Sequence, residues 1–170
     1  DADEAVTIDV AAGAITDNAG NDNTAAATQF AFTHDATTPT LSTIAMSTSG
    51  NTGYAKSGDT ITLTITASEA VTGLTCTIDG ETATMGGSGT SWTAALTISG
   101  DETAGAATFS CGSYSDAAGN AGSADTTADS GSVTIDYSAP TLSTIAMSTS
   151  GNTGYAKSGD TITLTITASE

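Results

Sequence analysis

The sequence predicts an all-β protein made of tandem sandwich domains in an elongated array, and three observations carry that prediction. Apolar residues alternate strictly: between Asp59 and Ala67, Ile61, Leu63, Ile65 and Ala67 fall on one face and Thr60, Thr62, Thr64 and Thr66 on the other. This is the period-two pattern of a half-buried strand, filled with residues that suit a pleated surface. The 31 residues from Pro39 to Glu69 recur unchanged from Pro140 to Glu170, an offset of 101. That period is the size of one β-sandwich domain. Stretches rich in Gly, Asn, Asp and Ser separate the apolar runs, supplying the turns a sandwich needs.

Taken in chain order, the first segment reads as the end of a repeat. Asp17-Asn18-Ala19-Gly20-Asn21 parallels Asp116-Ala117-Ala118-Gly119-Asn120, and Asp35 parallels Asp136. Residues 1–38 are therefore expected to be the C-terminal part of one domain, 39–139 a complete domain, and 140–170 the N-terminal part of a further one. Pro39 and Pro140 mark the junctions, because Pro fixes φ and cannot donate into a ladder. The chain opens without Met and stops at a strand end, so a window on a longer array is expected. Within 39–139 the alternation predicts seven strands, at about 41–47, 59–68, 73–79, 81–85, 91–98, 106–114 and 131–137. Gly86-Gly87-Ser88-Gly89 reads as a hairpin loop. Trp92, at the parity of Leu96 and Ile98, reads as core rather than as a platform for a sugar. Seven short strands in about a hundred residues predict a Greek-key sandwich of the immunoglobulin type.

Composition narrows the function. The 170 residues carry nineteen Asp and Glu against two Lys, no Arg and one His, for a net charge of −17. Ala, Gly, Ser and Thr make up roughly three-fifths of the chain. An acidic surface cannot neutralise nucleic-acid phosphates or anionic lipid, so nucleic-acid partners and membrane insertion of this segment are excluded. No apolar run approaches the length of a membrane-spanning helix. The absence of any base, nucleophile and oxyanion-donor set argues against an enzyme. Low apolar content with high net charge is also a mark of disorder, but the charged fraction is only 12% and disorder needs no strand register.

The motifs carry a resemblance. Pro-Thr-Leu at the domain start, Ser57-Gly58-Asp59-Thr60-Ile61-Thr62-Leu63, Ala67-Ser68-Glu69-Ala70-Val71, Ser91-Trp92-Thr93 and Tyr114-Ser115-Asp116-Ala117-Ala118-Gly119-Asn120 resemble the bacterial Ig-like repeats of large surface adhesins and biofilm-associated proteins. Val10-Ala11-Ala12-Gly13 followed by Asp17-Asn18-Ala19-Gly20-Asn21 is similar to a sister class of those repeats. The resemblance implies an extracellular or cell-surface structural protein: a rod, stalk or head-to-tail filament, with like domains as its partners. The rival reading is a ligand-binding adhesin module for glycans or a host surface, which would need an exposed aromatic cluster or a long variable loop. Cys76 and Cys111 depart from the family pattern, which has aliphatic residues there.

Two constellations could carry chemistry. Cys76 and Cys111 share parity with core residues on the third and sixth strands, neighbours in one sheet of such a sandwich. They are expected to form a buried disulfide in an oxidising setting, the alternative being two buried thiols. The acidic residues should gather at junctions. Glu69 ends the second strand, Asp116 to Asn120 form the turn before the last, and Asp35 ends the preceding domain. Asp136, the Asp101-Glu102 turn and Glu170 should gather at the second junction. Carboxylates with Asn and carbonyl oxygens, and no soft ligands, suit Ca²⁺, as the resemblance also implies. The bland reading is Asx-turns and solubilising charge. The Thr ladder is an ordinary outward strand face rather than an ice-binding surface. Ser and Thr abundance permits O-glycosylation, and no Asn-x-Ser/Thr sequon occurs. Residues 1–38 and 140–170 of successive copies are also expected to complement each other by strand addition.

Overall fold

In this computed structural model, which describes residues 3–24 and 30–170, every helix-or-strand element is a strand. The chain divides into two compact units, Asp1–Asp136 and Tyr137–Glu170. The first opens with β1 (Glu4–Ile8) and β2 (Phe30–His34) and continues with β3 (Leu41–Thr48), β4 (Tyr54–Ala55), β5 (Thr60–Val71) and β6 (Thr75–Ile78). It ends with β7 (Glu81–Thr82), β8 (Thr84–Thr97), β9 (Gly105–Ala106), β10 (Phe109–Gly112) and β11 (Thr134–Ile135). The second unit contains β12 (Leu142–Thr149) and β13 (Ile162–Ala168).

The alternation builds a two-layer sandwich. One layer is the antiparallel sheet β3-β5-β8; the other is made by β10-β6-β7 and β4-β11-β9. Only Ala107 and Thr108 separate β9 from β10, so these two pieces act as one interrupted strand joining the second layer. Ile44, Ile61, Leu63, Ile65 and Ala94 from the first layer are buried with Cys76, Ile78, Phe109, Cys111, Val133 and Ile135 from the second. The Thr side of β5 stays outside that core: Thr64 and Thr66 are exposed, Thr60 and Thr62 half-buried. Burial of aliphatic side chains at roughly 1.5–3 kcal/mol each is the main force holding so small-residued a domain together.

Some expected elements differ in extent. Gly86-Gly87-Ser88-Gly89 is not a separate hairpin loop but lies inside β8, whose ladder with β5 runs from Thr60↔Thr97 to Thr66↔Ser91 and then jumps to Val71↔Gly89. Four residues of β5 (67–70) there oppose Thr90 of β8, and Gly87 and Gly89 take positive φ of 91° and 65° around the irregularity. Trp92 is partly buried against the core and donates its indole N–H to the Gly89 carbonyl at 2.9 Å, while Ala94 and Ile98 are the fully buried members of that strand face. The last strand is shorter than expected. Before it, Asp129 substitutes for a strand partner: its carboxylate accepts from Ile44 N–H at 2.7 Å and its own N–H donates to the Ile44 carbonyl at 2.8 Å. Gly131 follows at φ 75°, where a Cβ would collide with the Met46 carbonyl oxygen. Only then do Thr134 and Ile135 pair with Tyr54 and Ala55 in parallel and with Ala106 and Gly105 antiparallel.

Residues 3–34 and 142–168 reproduce pairings found within residues 41–135. Glu4↔His34 and Ala5↔Thr33 of the β1–β2 hairpin match Gly105↔Ile135 and Ala106↔Thr134 at the offset of 101. The β12–β13 hairpin repeats the β3–β5 register residue for residue, including the irregularity between Leu142 and Thr144 that mirrors the one between Leu41 and Thr43.

Candidate functional site

The junction between the first segment and the complete domain brings three of the expected acids together. Asp35 follows β2, Glu69 lies near the end of β5, and Asp116 opens the loop after β10. One carboxylate oxygen from each lies within 4.8 Å of the other two. The antiparallel course of β3 and β5 causes this, since Leu41 faces Ala67 and the linker at Pro39 therefore enters beside Glu69. Asp35 and Glu69 are half-buried; Asp116, only 4% exposed, is the buried charged residue among those described.

Asp116 is held by its own loop. Its carboxylate accepts from the N–H groups of Gly119 (2.7 Å) and Asn120 (2.9 Å) and from the Asn120 side chain (2.8 Å). Burial pushes its carboxyl up, but the hydrogen bonds from the Asn120 side chain and from the Asn120, Gly119 and Ala118 N–H groups pull harder and leave it below the ordinary aspartate value. Asn120 also donates its side-chain amide to the Asp35 carbonyl at 3.1 Å, tying the loop to the end of the preceding segment. Asn120 offers the site an N–H rather than an oxygen, so it acts as a clamp beside the carboxylates. Asp17 builds the same loop in the first segment, accepting from Ala19 N–H, Asn21 N–H and the Asn21 side chain. The motif is thus first a turn-forming device, and becomes part of an acid cluster only where a second segment meets it.

A fourth acid, which sequence reasoning missed, adds its charge near the group. Asp3 accepts from Ala36 N–H at 2.8 Å and from the Thr37 hydroxyl at 2.7 Å, and these bonds, the backbone one first, hold its carboxyl below the ordinary range. Glu69 carries the cost of the crowding. Desolvation first, then the charges of Asp35, Asp116 and Asp3, raise its carboxyl above the ordinary glutamate value. The site is therefore a pocket of negative potential lined by hard oxygen donors, which suits Ca²⁺ better than a thiophilic metal.

The other expected ligands are Asp101, Glu102, Asp136 and Glu170. Asp101, Glu102 and Asp136 belong to the first unit and Glu170 to the second. Among the described residues, no three-carboxylate group contains any of these four. The Glu102 carboxylate instead closes its own turn, accepting from Ser99 N–H and hydroxyl and from Gly100 N–H. The Asp136 N–H donates to the Ala55 carbonyl, which completes the β4–β11 edge.

Cys76 on β6 and Cys111 on β10 are direct cross-strand partners joined by a disulfide, with Cα atoms 4.1 Å apart. Their backbones bond away from each other, Cys76 C=O to Ala83 N–H and Cys111 N–H and C=O to Asp125. They therefore form a non-hydrogen-bonded pair, the kind that brings side chains closest. Both are buried. Next to them Tyr114 is buried, its hydroxyl donating to the Ser123 carbonyl at 2.9 Å. Gly122 leaves room for that ring, which a Cβ would strike.

A family model for the bacterial Ig-like domain matches residues 35–135. No curated protein matches the chain. The matched span runs from the junction carboxylate Asp35 to the last strand of the sandwich. The chain belongs to the bacterial Ig-like domain family.

Proposed function

We propose that this chain is a repeat segment of an extracellular structural protein, a rod, stalk or head-to-tail filament of a surface adhesin in which like domains follow one another. One observation carries the reading. The junction at Asp35 is gripped from the following domain by the Asn120 amide on the Asp35 carbonyl, beside the Glu69 and Asp116 carboxylates that approach its own. A grip of this kind limits hinge freedom between consecutive domains, which is what a rod requires. The buried disulfide and the family membership both favour an oxidising, extracellular location.

Calcium is the proposed structural ion of this junction. Asp35, Glu69 and Asp116 would hold it, and its charge would offset the desolvation and, after it, the repulsion that raise the Glu69 carboxyl. Calorimetry of the full chain in Ca²⁺, in chelator, and in Mg²⁺ or NaCl at matched ionic strength tests this. Ca²⁺ is expected to raise the melting temperature of the first unit beyond what the matched salts give. Equal melting in Ca²⁺ and chelator would remove the ion from the proposal. The surface location is checked by an impermeant label on intact cells of the source bacterium, and labelling only after lysis would overturn it.

A further inference from the structure

The two ends of the complete domain are bonded to each other along parallel strands. Beyond the two bonds between Asp129 and Ile44, Met46 N–H donates to the Ser130 carbonyl at 2.9 Å. Further on, Thr134 N–H and Asp136 N–H donate to the carbonyls of Gly53 (2.8 Å) and Ala55 (2.9 Å). Ala45 and Ser130, Tyr54 and Thr134, and Ala55 and Ile135 all pair in parallel. The chain therefore enters β3 at the end where Asp129 sits and leaves after Asp136, beside β4 at the far end. Buried Ile44, Met46, Ala55, Val133 and Ile135 flank these bonds.

A rod carries load along its chain, here from Pro39 to Asp136. The bonds of a parallel ladder run between the strands, so a pull along the strands shears them together. The β1–β2 hairpin is the opposite case: Glu4 and His34 are partners, so a pull on its two ends opens it one pair at a time. Deeper in the domain, Cys76 and Cys111 join β6 to β10, 35 residues apart. We infer that the complete domain is a two-stage load-bearing element: residues 129–136 latch β3 and β4 against extension, and the Cys76–Cys111 bond withholds the chain between the cysteines once the latch yields. The axis of load rests on the rod reading; the device does not depend on calcium.

The two stages have separate readouts. Forced unfolding follows the rate at which native bonds give way rather than the equilibrium stability, so the latch can be told apart from the core. Asp129 is the residue to change, because its side chain is exposed and makes one of the latch bonds itself. The second stage is a length. At ~3.5 Å per residue, the separation of 35 withholds about 120 Å of extension. Aliphatic residues at both positions would release that length in the first step.

Single-molecule pulling of the full chain by handles at Asp1 and Glu170, in chelator, tests this. The wild-type domain is expected to yield in one step, and the same step in C76V/C111V should be about 120 Å longer. With wild type held stretched, a phosphine reductant should add the missing length as a second step. That step should come only after the first, since both cysteines are buried in the folded domain. Asp129→Ala should lower the yield force, and Asp129→Asn, which keeps an oxygen acceptor for Ile44 N–H, should restore most of it. Ile78→Val or Ile78→Ala, whichever matches the loss of Asp129→Ala in denaturant, should lower the force less. Equal step lengths in wild type and C76V/C111V, a reductant step before the latch yields, or an Ile78 variant as weak under load as Asp129→Ala would each overturn the inference. None of these outcomes touches the surface-label result, so the rod reading stands or falls separately.

Discussion

Opening the disulfide should cost the first unit a large part of its stability, by an amount the sequence separation sets. Cys76 and Cys111 are 35 residues apart. In the chain-entropy model a loop of that size removes about 13 cal/mol/K from the unfolded ensemble, or ~4 kcal/mol at 25 °C. The variant C76V/C111V isolates this term, because Val refills the buried volume with a side chain suited to a strand. Val10 already occupies the position of Cys111 in the first segment. For a domain of about a hundred residues, ~4 kcal/mol corresponds to a fall in melting temperature of roughly 15–30 °C. Denaturant unfolding of both forms is the assay. The variant should also show a larger m-value, since an unlinked unfolded chain exposes more surface. A loss below about 1 kcal/mol with an unchanged m-value would refute the reasoning, because the bond would then not be constraining the unfolded chain.

Four further outcomes are expected. Ile44→Ala should destabilise the first unit by about 2–5 kcal/mol in chemical unfolding, whereas Ile145→Ala, the same change in the same 31-residue context, should fall within about 0.5 kcal/mol; equal losses would contradict the observed burial. Glu69 holds its proton more tightly folded than unfolded. Its contribution is complete below its ordinary value of 4.5 and lost as pH rises through the higher folded value. Glu69→Gln should therefore stabilise the metal-free protein at neutral pH, converge with wild type below pH 4.5, and shrink the Ca²⁺-dependent shift in melting. Asp116 has the opposite sign: its stabilisation is present above 3.8 and lost as pH falls through its lowered folded value, so Asp116→Asn should flatten the acid limb of the stability curve. Gly131→Ala should cost about 1–3 kcal/mol by thermal unfolding, from the positive φ and the contact with the Met46 carbonyl.

Much of the junction was legible because strand parity and repeat alignment are local signals. Glu69 at the end of an alternating run and Asp116 in a turn motif fix which end of the sandwich each occupies, and the antiparallel course of β3 and β5 does the rest. Asp3 gave no such signal. Its partners Ala36 and Thr37 lie 33 and 34 residues away in sequence, and nothing in the spacing announces a contact between an N-terminal strand and a linker. The local role of Glu102 was hidden for a related reason. Glu102 reaches its own turn's donors at Ser99 and Gly100 sooner than any distant carboxylate. The glycine run at 86–89 reads as a loop because Gly lacks the side chains that display alternation. In the structure its permissive φ lets β8 bulge and continue.

The two copies of the 31-residue repeat separate what sequence and tertiary structure each decide. In both places the identical residues form the same antiparallel pair with the same register and the same irregularity, because turn chemistry and β-branched alternation act over a few residues. Whether Ile44 or Ile145 is buried depends on residues far along the chain. Residues 70–139 close over the first hairpin, while the second keeps its apolar face exposed. Hydrophobic stabilisation comes from area removed from water, and only a partner surface can remove it.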